Sequence, residues 1–269
     1  MAYAAQVKAA LLRGGVSPHR IVDLSHELSA HDVREAAFLV REMARGFPRD
    51  VVHLVVVDPG VGGHRAPIAI ETRTGPFLVG PDNGVLYPLA SELGIRAARR
   101  IDPGRILKRP RAGTTFDGRD LFAPAAARLA VGGRFADVGP RWTPTPYSIP
   151  EGKRVPTGAR GEVLHLDHFG NLITSIPSEW VPPGAERLWL TLGTVRRRPV
   201  PWSRSYEALR PGVLGALGSS FGLAEVAVGQ GRASDRLRAG VGSPVELAWR
   251  PQSRARGEND NSARPSKPH

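Results

Sequence analysis

Short apolar runs typical of strands alternate with segments of helical periodicity along the first half of the chain. The helical spacing predicts helices over residues 6–12, 32–45, 85–92 and 121–130. The apolar runs predict strands over residues 20–24, 51–57, 68–71 and 76–80. The run over residues 51–57 is continuous and mostly β-branched, as in a strand buried on both faces. Strands that alternate with helices predict an α/β sheet domain, and Asp32 is placed to cap the second helix.

The pattern changes near Ile149. Residues 144–156 are rich in proline and are interpreted as a linker. Beyond them, short apolar segments separated by turn residues predict strands over residues 161–166, 172–176, 187–192, 223–228 and 244–249. No long helical pattern follows, which favours a small all-β barrel or sandwich. We therefore predict an N-terminal α/β domain over 1–148, a C-terminal β-barrel domain over 149–251 and a disordered polar tail over 252–269.

Composition narrows the class of protein. Of the 269 residues, 41% are hydrophobic, which is enough for a real core, and none is cysteine. The lack of cysteine excludes disulfides, thiolate metal sites and a cysteine nucleophile. The sequence contains no apolar run of the roughly 18 residues that span a bilayer, and it begins without a signal-peptide pattern. A cytoplasmic protein is the expectation.

The net charge of +12 raises the question of an anionic partner. Nearly all of the positive residues are arginines, and they are scattered along the chain apart from short clusters such as residues 196–198. Aromatic residues do not alternate with them, as a stacking platform for bases would require. Compositional bias is therefore favoured over nucleic-acid binding.

A glycine-rich loop over residues 58–65 follows the predicted buried strand and begins with Asp58. Ligands of α/β sheets bind beyond the carboxyl ends of the strands, where a carboxylate and free backbone amides suit a polar ligand. The loop lacks the Lys-Ser/Thr ending of a P-loop. A glycine-rich turn with an aspartate cap remains an equal alternative.

Two further polar loops precede predicted helices. Asn83-Gly84 is interpreted as a turn that caps the helix over residues 85–92. Asp117 and Arg119 are candidates for a charged site, although an Asp-Gly turn explains Asp117 equally well. Asp120 is a candidate N-cap for the helix over residues 121–130.

The second half carries two isolated polar features. His165 and His168 flank Asp167, but a third metal ligand is not evident, so we expect no metal. Glu225 interrupts an apolar strand. It either faces solvent or reaches a ligand at the rim of the barrel.

The motifs occur in a recognisable order along most of the chain. They lie at residues 21–27, 32–37, 57–62, 80–84, 115–120, 167–174 and 225–228. Each is weak alone. Together they resemble the S-adenosyl-L-methionine hydrolases, or hydroxide adenosyltransferases, which are relatives of the fluorinases and chlorinases.

The resemblance implies an α/β domain followed by a β-barrel domain, assembled as a homotrimer with each site between two subunits. It also implies hydrolysis of S-adenosyl-L-methionine to adenosine and L-methionine, by in-line attack of water or hydroxide at the ribose C5′. Neither metal nor cofactor is expected, because the sulfonium leaves as neutral methionine. The protein then has to orient and partly desolvate the nucleophile.

Site residues follow from the same resemblance. The catalytic set falls on Asp58, Arg65 and position 117, where relatives carry histidine and this chain has Asp117. Arg65 could hold both carboxylates, but two adjacent carboxylates repel each other, which favours protonation of one of them. The residues expected to bind substrate line the sulfur, methionine, ribose and adenine positions: Phe116, Asp167, Asn171, Tyr206, Ser220, Glu225 and Val228.

Residues 1–12 match the helix that follows the first strand of the family. That strand ends in Thr-Asp-Phe-Gly, and its aspartate grips the ribose. The printed sequence lacks both, through either a late start or a true truncation. An alternative function is therefore a catalytically impaired binder of S-adenosyl-L-methionine or adenosine. Halogenase activity is disfavoured, because Asp58 stands where fluorinases carry an aromatic residue.

Overall fold

The computed structural model describes residues 2–26, 28, 32–107 and 115–249. Over this part the chain is mixed α/β, with a four-stranded sheet in the N-terminal region and a closed β-barrel in the C-terminal region. The predicted tail over 252–269 lies outside the described residues. No described helix is both long and apolar enough to cross a membrane.

The N-terminal sheet has the strand order β1-β3-β2-β4 and is mixed. Its strands are β1 (Val52–Leu54), β2 (Pro67–Thr72), β3 (Phe77–Pro81) and β4 (Ile95–Arg100). β1 runs parallel to β3, whereas β2 is antiparallel to both of its neighbours. The run predicted over residues 51–57 forms only the three-residue β1 at one edge of the sheet. The predicted burial on both faces is wrong at Val56, which is 39% exposed.

In the described part of the chain, five α-helices accompany this sheet: α1 (Ala2–Arg13), α2 (Val33–Ala44), α3 (Tyr87–Glu92), α4 (Pro103–Ile106) and α5 (Ala123–Ala130). The predicted cap of α2 is confirmed, because the Asp32 carboxylate accepts hydrogen bonds from the amides of Arg34 at 2.9 Å and Glu35 at 3.0 Å. The strand predicted over residues 20–24 is wrong. A 3₁₀ turn covers Pro18–Arg20, and the residues that follow pair with no strand.

The predicted N-cap at Asp120 is also wrong. A π-helical turn over Gly118–Phe122 precedes α5, so Asp120 lies inside the turn. Its carboxylate forms a two-point pair with Arg119, at 2.5 and 2.7 Å. The extra turn moves the start of the α-helix to Ala123.

The C-terminal barrel is closed by seven strands. Its elements are β5 (Lys153–Val155), β6 (Gly158–Leu166), β7 (Leu172–Pro177), β8 (Arg187–Leu192), β9 (Val195–Ser203), β10 (Leu214–Gly218), β11 (Leu223–Val228), α6 (Ala233–Leu237) and β12 (Pro244–Ala248). The order β12-β8-β9-β10-β11-β7-β6 returns to β12 through the β12–β6 pairing, and β5 extends the sheet beyond β6. Closure leaves those seven strands without an open edge.

Helix α2 packs against both regions. Ala36, Val40 and Ala44 belong to the apolar cluster of the N-terminal sheet. Phe38 and Leu39 belong to a second cluster, shared with the barrel residues Leu164 and Ile173 and with Ile149. The domain boundary near 149 stays a prediction.

Candidate active site

Arg65 binds two carboxylates at the end of the apolar run that contains β1. Its Nε donates to Asp58 Oδ1 at 2.8 Å, and its Nη2 donates to Asp58 Oδ2. The same Nη2 donates to Asp117 Oδ2 at 2.6 Å. The three residues proposed from the resemblance as the catalytic set therefore lie together. We call Asp58, Arg65 and Asp117 the arginine cluster.

The glycine loop positions Asp58. The Asp58 carbonyl accepts the amide of Val61 at 3.3 Å, which folds the chain back towards Arg65. Gly62 has φ +78°, a left-handed conformation that side chains other than glycine rarely adopt. Asn83 fixes the start of the loop, since its Nδ2 donates to the Val57 carbonyl at 2.9 Å. Its Oδ1 accepts the amide of Val85 at 3.2 Å, in accord with the predicted turn.

The π-helical turn positions Asp117, which immediately precedes it. Gly118 allows the turn to approach the apolar run closely: a Cβ there would lie 2.6 Å from Val56 Cγ1. From the far end of the turn, Phe122 places its ring 5.4 Å from the guanidinium carbon of Arg65. The aromatic face is a favourable neighbour for the cation. No sequence motif indicates this contact.

The arginine cluster is almost dry. The side chains of Arg65, Asp58 and Asp117 are 11%, 7% and 5% exposed. Burial alone would lower the pKa of Arg65, but its hydrogen bonds to Asp58 and Asp117 and their charges outweigh burial and raise it. Arg65 therefore stays a cation. The expected repulsion between the carboxylates is offset by the guanidinium between them.

A cleft of about 560 Å³ borders the arginine cluster. Arg65 and Asp117 line it together with His64, Arg100 and Asp102. Its volume lies within the range of small-molecule sites. A ligand in this cleft would meet a wall that carries both signs of charge.

Phe116 lies beside the cluster and is half-buried. Tyr3 meets its ring edge-on, with 5.1 Å between the centroids, and the Arg119 guanidinium lies 5.0 Å from the ring centre. Arg119 also donates to Gln6 Oε1 at 2.7 Å. Arg119, proposed as part of a charged site, is therefore engaged by Asp120, Gln6 and Phe116.

A second group of predicted site residues lies on the barrel. In the turn between β6 and β7, Asp167 accepts the backbone amide of Asn171 at 2.8 Å and its Nδ2 at 2.9 Å. These two bonds fix the Asn171 side chain. In the turn from β10 to β11, Ser220 is exposed, whereas Val228 at the end of β11 is buried.

Glu225 is buried at 2% exposure, so the alternative that it faces solvent is wrong. The Tyr206 hydroxyl donates to its Oε1 at 2.6 Å. Burial raises the pKa of Glu225. The Tyr206 hydrogen bond lowers it, the charge of Asp167 raises it and that of His165 lowers it, with a net increase. Burial and the bond to Glu225 raise the pKa of Tyr206 as well.

His165 has a partner that the sequence analysis missed. Its Nδ1 lies 2.6 Å from Oε1 of Glu35, a buried residue on α2. The only signal in the sequence was an acidic residue next to the apolar stretch 36–40. His168 instead packs against Phe169, at 4.9 Å between the rings. Within the described ranges, no group of three or more His, Asp or Glu side chains is arranged to hold a metal ion.

The predicted site residues thus form two groups in different regions of the chain. One is the arginine cluster with Phe116, in the N-terminal region. The other, which we call the barrel group, consists of Asp167, Asn171, Tyr206 and Glu225. Among the members of these groups, the hydrogen bonds given above join Arg65 to both aspartates, Asp167 to Asn171 and Tyr206 to Glu225.

Comparison with known proteins identifies relatives that match most of the chain. Family models of the N-terminal and C-terminal domains of SAM hydroxide adenosyltransferase match residues 1–139 and 161–246. An (R)-S-adenosyl-L-methionine hydrolase from Thermus thermophilus is 39% identical over 91% of this chain and 94% of its own length. A fluorinase from an Actinoplanes species is more distant, at 25% identity over 58% of this chain and 61% of its own length.

Among solved structures, an uncharacterized conserved protein from Thermotoga maritima matches with a TM-score of 0.82 and 31% identity. The match covers 92% of this chain and 95% of that protein. The resemblance inferred from the motifs is therefore confirmed at the level of the family. This chain belongs to the SAM hydroxide adenosyltransferase family.

Proposed function

We propose that this protein hydrolyses S-adenosyl-L-methionine to adenosine and L-methionine. The observation that carries the proposal is the arginine cluster, in which Arg65 holds Asp58 and Asp117 at the edge of a cleft. A relative at 39% identity bears the name of this activity.

The chemistry requires an oriented nucleophile more than a strong one. Water attacks the ribose C5′ and forms the new C–O bond, while the C5′–S bond breaks and its electron pair remains on sulfur. The sulfonium thereby becomes the neutral thioether of methionine, and a carboxylate takes the proton lost by water. No metal or cofactor is needed for this displacement.

The charge of the arginine cluster suits this reaction. Two carboxylates and one guanidinium leave the cluster with an excess of negative charge, which attracts a sulfonium cation and repels a halide ion. The short distances and low exposure restrict how a water molecule can bind there. Asp58 and Asp117 are its proposed acceptors, and Phe116 is the proposed wall near the sulfur.

The barrel group is the proposed site of the nucleoside. The base and ribose are assigned to Asn171, Tyr206 and Glu225 of this group and to Ser220 and Val228 on the same barrel. The methionine end is assigned to Asp167. Because this group and the arginine cluster lie in different regions, we propose a homotrimer in which one subunit's cleft meets a neighbour's barrel. We also propose the two domains as 1–148 and 149–251. Sedimentation should give three times the mass of a single chain.

The test of the function is direct. The purified protein is incubated with S-adenosyl-L-methionine, and adenosine and methionine are followed by chromatography. Both products should appear in equal amounts, and their release should be at least about 10²-fold slower with Asp58→Asn. A parallel reaction with added chloride or fluoride should give no 5′-halogenated nucleoside. Calorimetric binding without products would instead support the alternative of a binding protein.

A further inference from the structure

We propose that Glu35, on α2, is a positioning residue for the nucleoside pocket. Glu35 holds His165, His165 supports the Glu225 carboxylate, and Glu225 holds the Tyr206 ring. This inference rests on the proposed function, because the pocket it concerns is the adenosine site assigned above.

The first link crosses from α2 to the barrel. Glu35 Oε1 lies 2.6 Å from His165 Nδ1, and the Glu35 and His165 side chains are 2% and 17% exposed. An ionised carboxylate has no hydrogen to donate, so the imidazole donates from Nδ1. The bond thereby fixes both the tautomer and the rotation of the ring.

The second link follows from the register of the barrel strands. His165 on β6 and Glu225 on β11 both lie opposite Ile173 on β7, one from each side. Residues directly opposite each other in antiparallel strands project from the same face of a sheet. Two strand spacings of about 4.8 Å each separate their backbones, and two long side chains can extend across much of this distance.

The electrostatics agree with this geometry. Burial raises the pKa of Glu225, and the charge of Asp167 in the β6–β7 turn raises it further. The Tyr206 hydrogen bond and the charge of His165 both lower it. His165 is thus one of two groups that favour the charged form of Glu225.

The third link reaches the surface. The Tyr206 hydroxyl donates to Glu225 at 2.6 Å, and Tyr206 itself is 52% exposed. A hydrogen bond to a charged acceptor is about twice as strong as one between neutral groups. When Glu225 is charged, the phenol is therefore firmly held, and its exposed ring offers a fixed surface for a purine base.

A purely structural role for Glu35 makes a different prediction, since the pair could simply attach α2 to the barrel. The chain offers a matched control in Arg34, the preceding residue on α2. Arg34 pairs with Glu162, also on β6, at 3.3 Å. A variant at Arg34 removes a contact between the same two elements without touching His165.

The experiment compares Glu35→Gln with Arg34→Gln in the assembled enzyme. KM and kcat for S-adenosyl-L-methionine are measured between about pH 4 and pH 9, a range that reaches from the usual pKa of glutamate to well above that of imidazole. Glu35→Gln should raise KM at neutral pH by about three- to tenfold with little change in kcat. It should also move the acid limb of 1/KM to higher pH, since Glu225 then takes up its proton more readily. Arg34→Gln should match the wild type.

Two results would overturn the proposal. One is a Glu35→Gln profile that superimposes on the wild type. The other is the same displacement of the acid limb in Arg34→Gln, which would make the effect a general loosening of the junction. If Glu35→Gln does not fold, His165→Gln replaces it with the same expected result.

A readout without catalysis separates this proposal from the proposed function. Carbon-13 labelling of glutamate carboxyl groups allows Glu225 to be titrated by NMR, with its signal assigned from Glu225→Gln. If the wild type forms no adenosine, the proposed function fails, while the titration still tests the relay. An unchanged Glu225 midpoint in Glu35→Gln would refute the relay even in an active enzyme.

Discussion

The two candidate regions bury carboxylates in opposite ways. In the arginine cluster, the Arg65 guanidinium lies between Asp58 and Asp117, and its positive charge is buried together with the two carboxylates. In the barrel group, the nearest partner of Glu225 is the neutral phenol of Tyr206, and the pKa of Glu225 is raised by burial. The first region therefore gains stability from its charges, whereas in the second burial disfavours the charged form of Glu225.

The largest effect is expected when the positive charge of Arg65 is removed. Arg65→Met keeps most of the stem and leaves two buried carboxylates without a counter-charge. We expect a loss of about 3–5 kcal/mol in the free energy of unfolding, together with loss of turnover, measured by urea denaturation and product formation. Arg160→Met is the control, because Arg160 pairs with Glu246 at the surface and its loss should cost at most about 1 kcal/mol. Equal losses would show that the cluster is not stabilised as described.

A second test separates the two carboxylates within the arginine cluster. Asp58 accepts hydrogen bonds from two nitrogens of Arg65, whereas Asp117 accepts a hydrogen bond from one of them. Asp58→Asn should lower kcat by about 10²–10⁴, and Asp117→Asn should lower it less, both measured by release of adenosine. The reverse order would make Asp117 the principal proton acceptor.

The smallest expected effect is at Glu225, where removal of the carboxylate charge should stabilise the fold instead of destabilising it. Because the pKa of Glu225 is raised in the folded state, its stabilising contribution is present at acid pH and is lost as pH rises through the folded value. Glu225→Gln mimics the protonated form, so it should unfold at a higher temperature than the wild type at pH 7. The difference should shrink towards about pH 4, near the usual pKa of glutamate. Thermal unfolding across this range measures it, and a variant less stable at pH 7 would contradict the contrast with Arg65.

Local features of the fold were predictable from sequence. The cap at Asp32 depends only on Asp32 itself and on the first turn of the helix that follows it. Two barrel strands, Arg187–Leu192 and Leu223–Val228, have the predicted bounds. β4 and β9 were missed because their arginines and prolines mask the alternation of a strand. The opposite error occurred over residues 20–24, where an apolar segment has no neighbouring strand to pair with.

The candidate site was predictable only as far as motifs reach. The residues of the arginine cluster were named from the resemblance, but Phe122 above Arg65 was not, since no motif marks it. Glu35 and His165 are 130 positions apart, and their contact exists only once α2 is seated on the barrel. Long-range pairs of this kind are created by packing and leave no periodic trace in sequence.

The placement of α2 affects how the molecule unfolds. Alternate faces of one helix complete two apolar cores, with Ala36 and Val40 in one and Phe38 and Leu39 in the other. Neither core can lose the helix without exposing the other. Sheet and barrel are therefore thermodynamically coupled within a single chain, and denaturation should proceed as one cooperative event in which the barrel cannot melt while the sheet survives intact.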